Sequence, residues 1–230
     1  MTTVRVSAFI LFGPPGSGKG TQAELLAQHL SLPHIATGDM LRQQVRASHQ
    51  RGTEIKGFMQ AGNLVPDEFV NELIANRIAQ PDCTSGFILD GYPRTLRQGQ
   101  TLLHLLETRR VKPVVVHFKI DHELVLARLS GRRQCPQCGA VYNLVTHPPK
   151  NDERCDKDGS GLIVREDDRE AVIRNRLKAY DKQAGPLLEY FKRVGTIVYE
   201  VDMSRGTPDQ IATRIMGTIK SASRPSNNLL

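Results

Sequence analysis

Gly13-Pro-Pro-Gly-Ser-Gly-Lys-Gly-Thr21 is the stretch on which the reading of this 230-residue chain turns. The apolar run Ala8-Phe-Ile-Leu-Phe12 precedes it and reads as a short buried strand. Gln22-Ala-Glu-Leu-Leu-Ala-Gln-His-Leu30 follows, with its leucines at helical spacing. Strand, Gly-rich loop, lysine and helix in that order predict a phosphate-binding loop. The glycines let successive backbone N–H groups turn inward, the helix N-terminus adds positive potential, and Lys19 brings a mobile charge to the outer phosphates. Many such loops place Ser or Thr directly after Gly-Lys. Here Gly20 intervenes and the hydroxyl comes at Thr21, which weakens the case for a direct Mg²⁺ contact from that position.

Composition sets outer bounds. The chain is 39% apolar and 24% charged, as in a soluble globular protein, and long enough for one α/β domain plus insertions. Its formal net charge of +7 favours a polyanionic ligand, either a small phosphate compound or a nucleic acid. Aromatics make up only 5%, so the stacking residues that interleave a nucleic-acid footprint are missing and no nucleic-acid partner is expected. No N-terminal apolar segment or bilayer-length run occurs, so no membrane association is expected and the reading is cytoplasmic. Four cysteines are too few for a disulfide scaffold.

Taken in order, the opening strand is expected over Val6 to Phe12, and a second short strand leads from Pro33 to the Thr37-Gly-Asp39 turn. Asp39 is placed at or near the cap of a helix that Gln50-Arg-Gly52 interrupts, and a further short helix ends at Gly62-Asn-Leu-Val-Pro66. Asp67 caps another helix, running to about Ala79. Gly86 to Asp90 and Pro113 to Ile120 are apolar strands, separated by a helix over Thr95 to Thr108. Asp121 starts the next helix, which runs into Gly131-Arg-Arg133. Composition then changes: residues 134–166 hold three of the four cysteines, paired prolines and no helical period. Asp167 opens a long helix through Val194, with a bend expected at Gly185-Pro186. Thr196 to Val201 is the last strand, Pro208 to Ser221 the last helix, and residues 223–230 are expected to fray.

Strands alternating with helices imply an α/β fold, a parallel sheet covered on both faces with ligands at the strands' carboxyl ends. The chemically interesting residues fall at those ends. Asp90 closes an apolar strand, where a carboxylate is costly without a nearby cation, and an aspartate there commonly holds Mg²⁺ directly or through water. Arg42 and Arg94 follow strand ends, Arg128 and Arg132 lie one helical turn apart, and Arg165 and Arg176 flank Asp167-Asp168. Guanidinium forks bind phosphate oxygens bidentately, so the set suggests a clamp around several phosphates. Cys135-Pro-Gln-Cys138, followed after sixteen residues by Cys155-Asp-Lys-Asp158, has the spacing of a tetrahedral Zn²⁺ frame. Its fourth ligand would be Asp158 on the symmetry of the spacing, with His147 and Asp156 as rivals. Four protein ligands leave no open position, so the metal would be structural, supporting a segment too poor in apolar residues to fold alone. Cys83 lies outside the frame and reads as an inert thiol.

Together these motifs resemble the adenylate kinases, in the long-lid form with a metal-binding lid. The matching stretches are Gly13 to Gln22, Thr37-Gly-Asp-Met-Leu-Arg42, Gly62-Asn-Leu-Val65, Leu89-Asp-Gly-Tyr-Pro-Arg94 with Gln98, Leu129 to Arg133, and Arg165-Glu-Asp-Asp168 with Arg176. The resemblance covers residues 5 to 220 in the family's order, and that family's loop also reads Gly-Lys-Gly-Thr, with Mg²⁺ held largely through water. It implies a P-loop NTPase-like five-stranded parallel sheet and the reaction ATP + AMP ⇌ 2 ADP. The core would be residues 1–35, 66–130 and 169–222. Residues 36–65 would form the AMP-binding insertion and 131–168 the lid with its zinc site.

By the same resemblance Gly16, Ser17, Gly18, Lys19, Gly20 and Thr21 would hold the donor's phosphates, with Arg128, Arg132, Val141 and Tyr142 on the ATP side. Thr37, Arg42, Asn63, Leu64, Val65, Gly91, Tyr92, Pro93, Arg94 and Gln98 would line the acceptor site, Gln98 reading the adenine edge. Arg165 and Arg176 would bridge toward AMP, and Lys19, Arg94, Arg128, Arg165 and Arg176 would be the catalytic set. Mg²⁺ with ATP and structural Zn²⁺ are the implied cofactors, and a monomer is expected. Other nucleoside monophosphate kinases (acting on UMP or CMP, or using GTP) and a non-catalytic nucleotide-binding zinc protein are the rival readings. The long lid, its cysteines and the arginine set argue against them.

Overall fold

The computed structural model describes residues 6–47 and 50–222. Five parallel strands form its centre, β1 (Val6–Phe12), β2 (His34–Ala36), β3 (Phe87–Asp90), β4 (Lys112–Lys119) and β7 (Ile197–Asp202), in the order β2-β3-β1-β4-β7. Strands buried on both faces must be apolar at every position, and the side-chain alternation of two then sorts them between the faces. In β1, Ala8, Ile10 and Phe12 enter one core, while Phe9 and Leu11 enter the other. β3 and β4 follow the same rule: Phe87, Leu89 and Val115 join the first core, Ile88, Val114, Val116 and Phe118 the second. The pairings Ala8↔Phe87, Phe9↔Ile88 and Ile10↔Leu89 keep those faces in step.

Helices cover both faces. α1 (Lys19–Leu30) and α8 (Pro208–Ala222) supply Ala23, Leu26, Ile211, Ile215 and Ile219 to the second core. α4 (Asp67–Ile78), α5 (Leu96–Thr108) and α7 (Glu170–Arg193) supply Val70, Ile74, Leu102, Leu106, Leu187 and Phe191 to the first. α1 therefore leaves β1 toward one face and α5 leaves β3 toward the other, although the two strands are neighbours. Divergent connections of this kind open a crevice at the carboxyl ends, where the Gly-rich loop and the segment Asp90–Arg94 lie side by side.

Between β2 and β4 lie α2 (Thr37–Ala47) and α3 (Gln50–Ala61), packed on each other ahead of α4 and β3. Gln50-Arg-Gly52 belongs to α3 rather than interrupting a helix, and residues 48 and 49 lie outside the described ones. α6 (His122–Ser130) leads to β5 (Arg132–Gln134) and β6 (Val141–Asn143), a small antiparallel sheet apart from the main one. The segment expected to lack a core has a minimal one: Cys135, Tyr142 and Cys155, with Ala140 and Leu162 against them. Asp167 sits in a 3₁₀ turn, Glu166–Asp168, and α7 starts three residues later than expected, at Glu170. α7 then runs as one helix through Pro186, because Ala184 and Leu187 on either side are both buried in the core. The expectation for residues 223–230 falls outside the described residues.

Candidate active site

The Gly-rich loop is built to meet an anion. Gly18 precedes α1 with φ 94°, no side chain caps the helix, and no acid lies in its first turn, so its leading N–H groups and positive end are left to a ligand. Gly16 has φ 73°, and a Cβ there would come 2.7 Å from the Leu129 side chain, so the tight turn requires glycine. A Cβ at Gly20 would lie 3.4 Å from Asp90 Oδ2, so the extra glycine brings the loop directly against the β3 carboxylate.

Lys19 curls over this loop, donating from Nζ to the carbonyl oxygens of Gly13 (2.9 Å) and Pro14 (2.7 Å) and to Ser17 Oγ (3.3 Å). Burial pushes its pKa down to about 7; the Asp90 charge opposes that shift, and Arg94, Arg176 and Arg132 add to it. An arriving phosphate reverses the balance and restores the proton. Nucleotide binding at pH 8 is therefore expected to take up close to one proton at Lys19, and the uptake should vanish toward pH 6, where the amine is already charged. Calorimetry in buffers of different ionisation enthalpy reads this directly, and a pH-independent proton count would contradict it.

Asp90 stands opposite. Burial alone would raise its pKa, but the facing His34 ring, Lys19 and Arg94 outweigh that and lower it. His34 Nε2 is 3.5 Å from Asp90 Oδ2 and makes no aligned hydrogen bond. An ionised carboxylate at the mouth of a phosphate-type loop suits a hard divalent cation, directly or through water.

The arginines divide into two groups. Arg42 pairs with Asp39 at 2.5 Å, Arg132 with the fully buried Asp168 carboxylate, and Arg176 with Asp167 at 3.0 Å and Asp168 at 3.4 Å. Arg94, Arg128 and Arg165 form no ion pair among the described residues and are held by neutral acceptors. Arg94 Nε donates to Gly91 O at 2.8 Å, Arg128 Nη2 to Met203 O at 2.7 Å, and Arg165 Nε to Gln134 Oε1 at 2.5 Å. Arg94 keeps exposed surface and lines the cavity described below; desolvation, with Arg176 beside it, brings its pKa down to about 10. Burial, then Arg132 and Arg42, bring Arg165 down to about 9 against the pull of Asp167 and Asp168. Several like charges thus converge on one space with fewer acids than they need.

That space is a cavity of about 680 Å³. Its lining includes Gly16, Gly18, Lys19, Gly20, Thr21, Arg128, Arg132, Val141 and Tyr142. Thr37, Arg42, Asn63, Leu64, Val65, Gly91, Pro93, Arg94 and Gln98 line it too, as do Asp90, Arg165 and Arg176. Thr37 Oγ1 is buried there without a protein partner. Two expected residues are withdrawn from the wall. Ser17 is fully buried under the loop, and the Tyr92 ring turns inward, donating from its hydroxyl to Asn71 Oδ1 at 2.7 Å.

Gln98 is almost wholly buried, and its amide orientation is fixed: Nε2 donates to Asp67 Oδ1 and Oε1 accepts from the Arg94 backbone N–H, both at 2.7 Å. Asp67 also accepts from Thr95 Oγ1, the residue that caps α5. An amide has two donors and two acceptor lone pairs, so one N–H and one lone pair remain for a ligand.

Away from the cavity's centre, Cys135, Cys138, Cys155 and Asp158 offer ligand atoms that all lie within 4.8 Å of one another. Cys135 Sγ is 3.3 Å from Asp158 Oδ2 and Cys138 Sγ is 3.5 Å from Cys155 Sγ. Tetrahedral Zn²⁺ with bonds of about 2.0–2.3 Å has ligand–ligand edges of roughly 3.5–3.8 Å, so the quartet fits such an ion. The rivals are engaged elsewhere: His147 stacks on Tyr142 at 6.2 Å, and Asp156 Oδ1 accepts from the Lys150 backbone.

The chain matches the family model described as adenylate kinase over residues 11–196. It belongs to the adenylate kinase family. Among curated relatives, the adenylate kinase of Methanocella arvoryzae is 46% identical over 191 residues, 83% of this chain and 88% of that protein. Those of Archaeoglobus fulgidus and Thermotoga maritima are each 44% identical, covering 87% and 89% of this chain and 91% and 94% of their own lengths. As a member of this family the protein is a nucleoside monophosphate kinase.

Sequence reading missed part of this kinase's cavity. Met203, Gly206, Pro208 and Asp209, from the loop after β7 and the start of α8, line it beside the Gly-rich loop. No motif marks them; the signal is structural, as Arg128 donates to Met203 O and Gln22 Nε2 to Pro208 O at 3.0 Å. His34 was passed over as a strand residue, and Asp67 was read only as a helix cap.

Proposed function

We propose that this chain catalyses reversible phosphoryl transfer from ATP to AMP, giving two ADP, with the Gly-rich loop holding the donor and the Thr37–Gln98 end holding the acceptor. The observation that carries this reading is the single cavity joining an uncapped helix N-terminus to Arg94, Arg128 and Arg165, three guanidiniums that form no ion pair among the described residues. A protein that only sensed a nucleotide would need one phosphate site, not two facing ones.

The acceptor's phosphate is already ionised near neutral pH, so no general base is required. The work left to the protein is alignment and charge stabilisation. Lys19 reaches the outer phosphates of the donor by exchanging its loop carbonyls for phosphate oxygens. Arg94 meets the acceptor's phosphate, and Arg128 and Arg165 meet the donor side and the group in transit. Arg132 and Arg176, kept in place by Asp168 and Asp167, fix the geometry of the others. Mg²⁺ arriving with ATP and held through Asp90 would supply further neutralisation of the phosphate charge. Residues 131–168, supported by Zn²⁺ on Cys135, Cys138, Cys155 and Asp158, would close over the donor and exclude water. We expect a monomer acting in the cytoplasm.

Base choice follows from the remaining donor and acceptor of Gln98. Adenine presents an exocyclic N–H beside a ring acceptor; guanine and hypoxanthine reverse that order on the same edge, and the Asp67 and Arg94 contacts oppose a compensating amide flip. ADP formation from ATP is expected to be faster with AMP than with GMP, IMP or UMP by at least about 100-fold in kcat/KM. No turnover with AMP, or faster turnover with UMP, would overturn the function proposed.

A further inference from the structure

The cations that face the cavity and form no ion pair among the described residues share one device. Lys19, Arg94 and Arg128 are oriented by backbone carbonyls, which accept a hydrogen bond without cancelling the charge. Arg165 follows the same rule through a side chain. Its guanidinium makes one hydrogen bond among the described residues, from Nε to Gln134 Oε1 at 2.5 Å, and no ion pair. Gln134 is in turn fixed, because its Nε2 donates to Gly139 O at 3.1 Å, so its oxygen can only face Arg165. Its backbone exchanges hydrogen bonds with Ile163, two residues before Arg165, at 2.8 and 2.9 Å.

We infer that Gln134 is a positioning residue for Arg165: its neutral oxygen holds the guanidinium by Nε and leaves both Nη groups and the full charge for the phosphoryl group in transit. The inference rests on the function proposed above, in which Arg165 touches that group. Chemistry explains the choice of side chain. A carboxylate would be a stronger acceptor, but it would neutralise Arg165, as Asp168 does for Arg132, and draw the Nη groups toward itself. An apolar side chain would leave the charge intact but the fork free to rotate, and preorganisation toward the transition state would be lost.

The test compares Gln134→Met, Gln134→Glu and Arg165→Met with the unaltered protein, reading kcat at saturating ATP and AMP, the Kd for ATP by calorimetry, and bound metal per chain. The expected order of kcat is Gln, then Met lower by about 10-fold, then Glu lower by about 100-fold, with Kd changed less than about threefold, as for loss of a contact made chiefly in the transition state. A merely structural anchor predicts another order: Glu, keeping an acceptor in place, would match Gln, and only Met would fall. That order overturns the inference, as do two variants with unaltered kcat. If Gln134→Met fails to fold or loses its metal, Glu still separates the two readings, since Glu equal to Gln contradicts the role; if Gln134→Glu fails, Met equal to Gln contradicts it. Arg165→Met separates the two claims. A large fall in kcat with unaffected Gln134 variants refutes only this inference, whereas a normal kcat in Arg165→Met refutes the placement of Arg165 and this inference with it.

Discussion

Lys19→Met is expected to lower kcat by about two to four orders of magnitude, because it removes a preorganised cation from the point where phosphoryl charge shifts in the transition state. Methionine keeps the length and the apolar stem, so the loss isolates the charge. The fold should survive. Among the described residues Lys19 hydrogen-bonds only within its own loop, and the Gly13 and Pro14 carbonyls it releases can turn to water in the cavity. Burial disfavours the ammonium, as its pKa near 7 records, so removing it should leave the melting temperature unchanged or slightly higher. Steady-state kinetics beside a thermal melt checks both halves. Near-normal kcat, or loss of both activity and fold, would contradict the role assigned to this side chain.

Cys135→Ser is expected to have the largest effect on stability. The segment 131–168 has a core of only three buried side chains, two of them cysteines of the quartet. A metal there would replace the hydrophobic core that so short a segment cannot build, and structural Zn²⁺ contributes on the order of 10 kcal/mol in small domains that depend on it. Serine is a poor ligand at neutral pH, so bound metal should fall from near one per chain to under about a tenth. Residues 131–168 should then unfold at lower temperature than the rest and become the first site of proteolysis. Catalysis at moderate temperature should persist at reduced rate, because the Gly-rich loop and Arg94 lie outside the segment. A chelator should reproduce the effect in the unaltered protein. Full metal content in the variant, or an unaltered proteolytic pattern, would contradict the assignment.

The parts of this molecule legible in its sequence are those whose signal is local. The strand, loop and helix around Lys19 are contiguous, and their apolar period and glycine spacing specify both structure and chemistry. The central strands are equally plain, since continuous apolar runs such as Val114-Val-Val116 can only be buried on two faces. The cysteine frame is readable from spacing, whose symmetry also favours Asp158, and the folded chain adds that His147 stacks on Tyr142 while Asp156 accepts from the Lys150 backbone. Contacts between distant segments carry no sequence period. Gln134 meets Arg165 from 31 positions away and Asp67 meets Gln98 across another 31, and nothing in the spacing links either pair. Tyr92 shows the converse. It lies within a motif, but its ring packs into the core and its backbone neighbours form the wall.

The central claim is that one cavity aligns two nucleotides so that a phosphoryl group passes directly between them. ATP labelled in its γ-phosphoryl group, incubated with the protein and unlabelled AMP, tests it most directly. The label should appear as the β-phosphate of ADP, at a rate that depends on AMP, with almost none released as inorganic phosphate. Label recovered chiefly as free phosphate, or transfer to UMP in preference to AMP, would contradict the account.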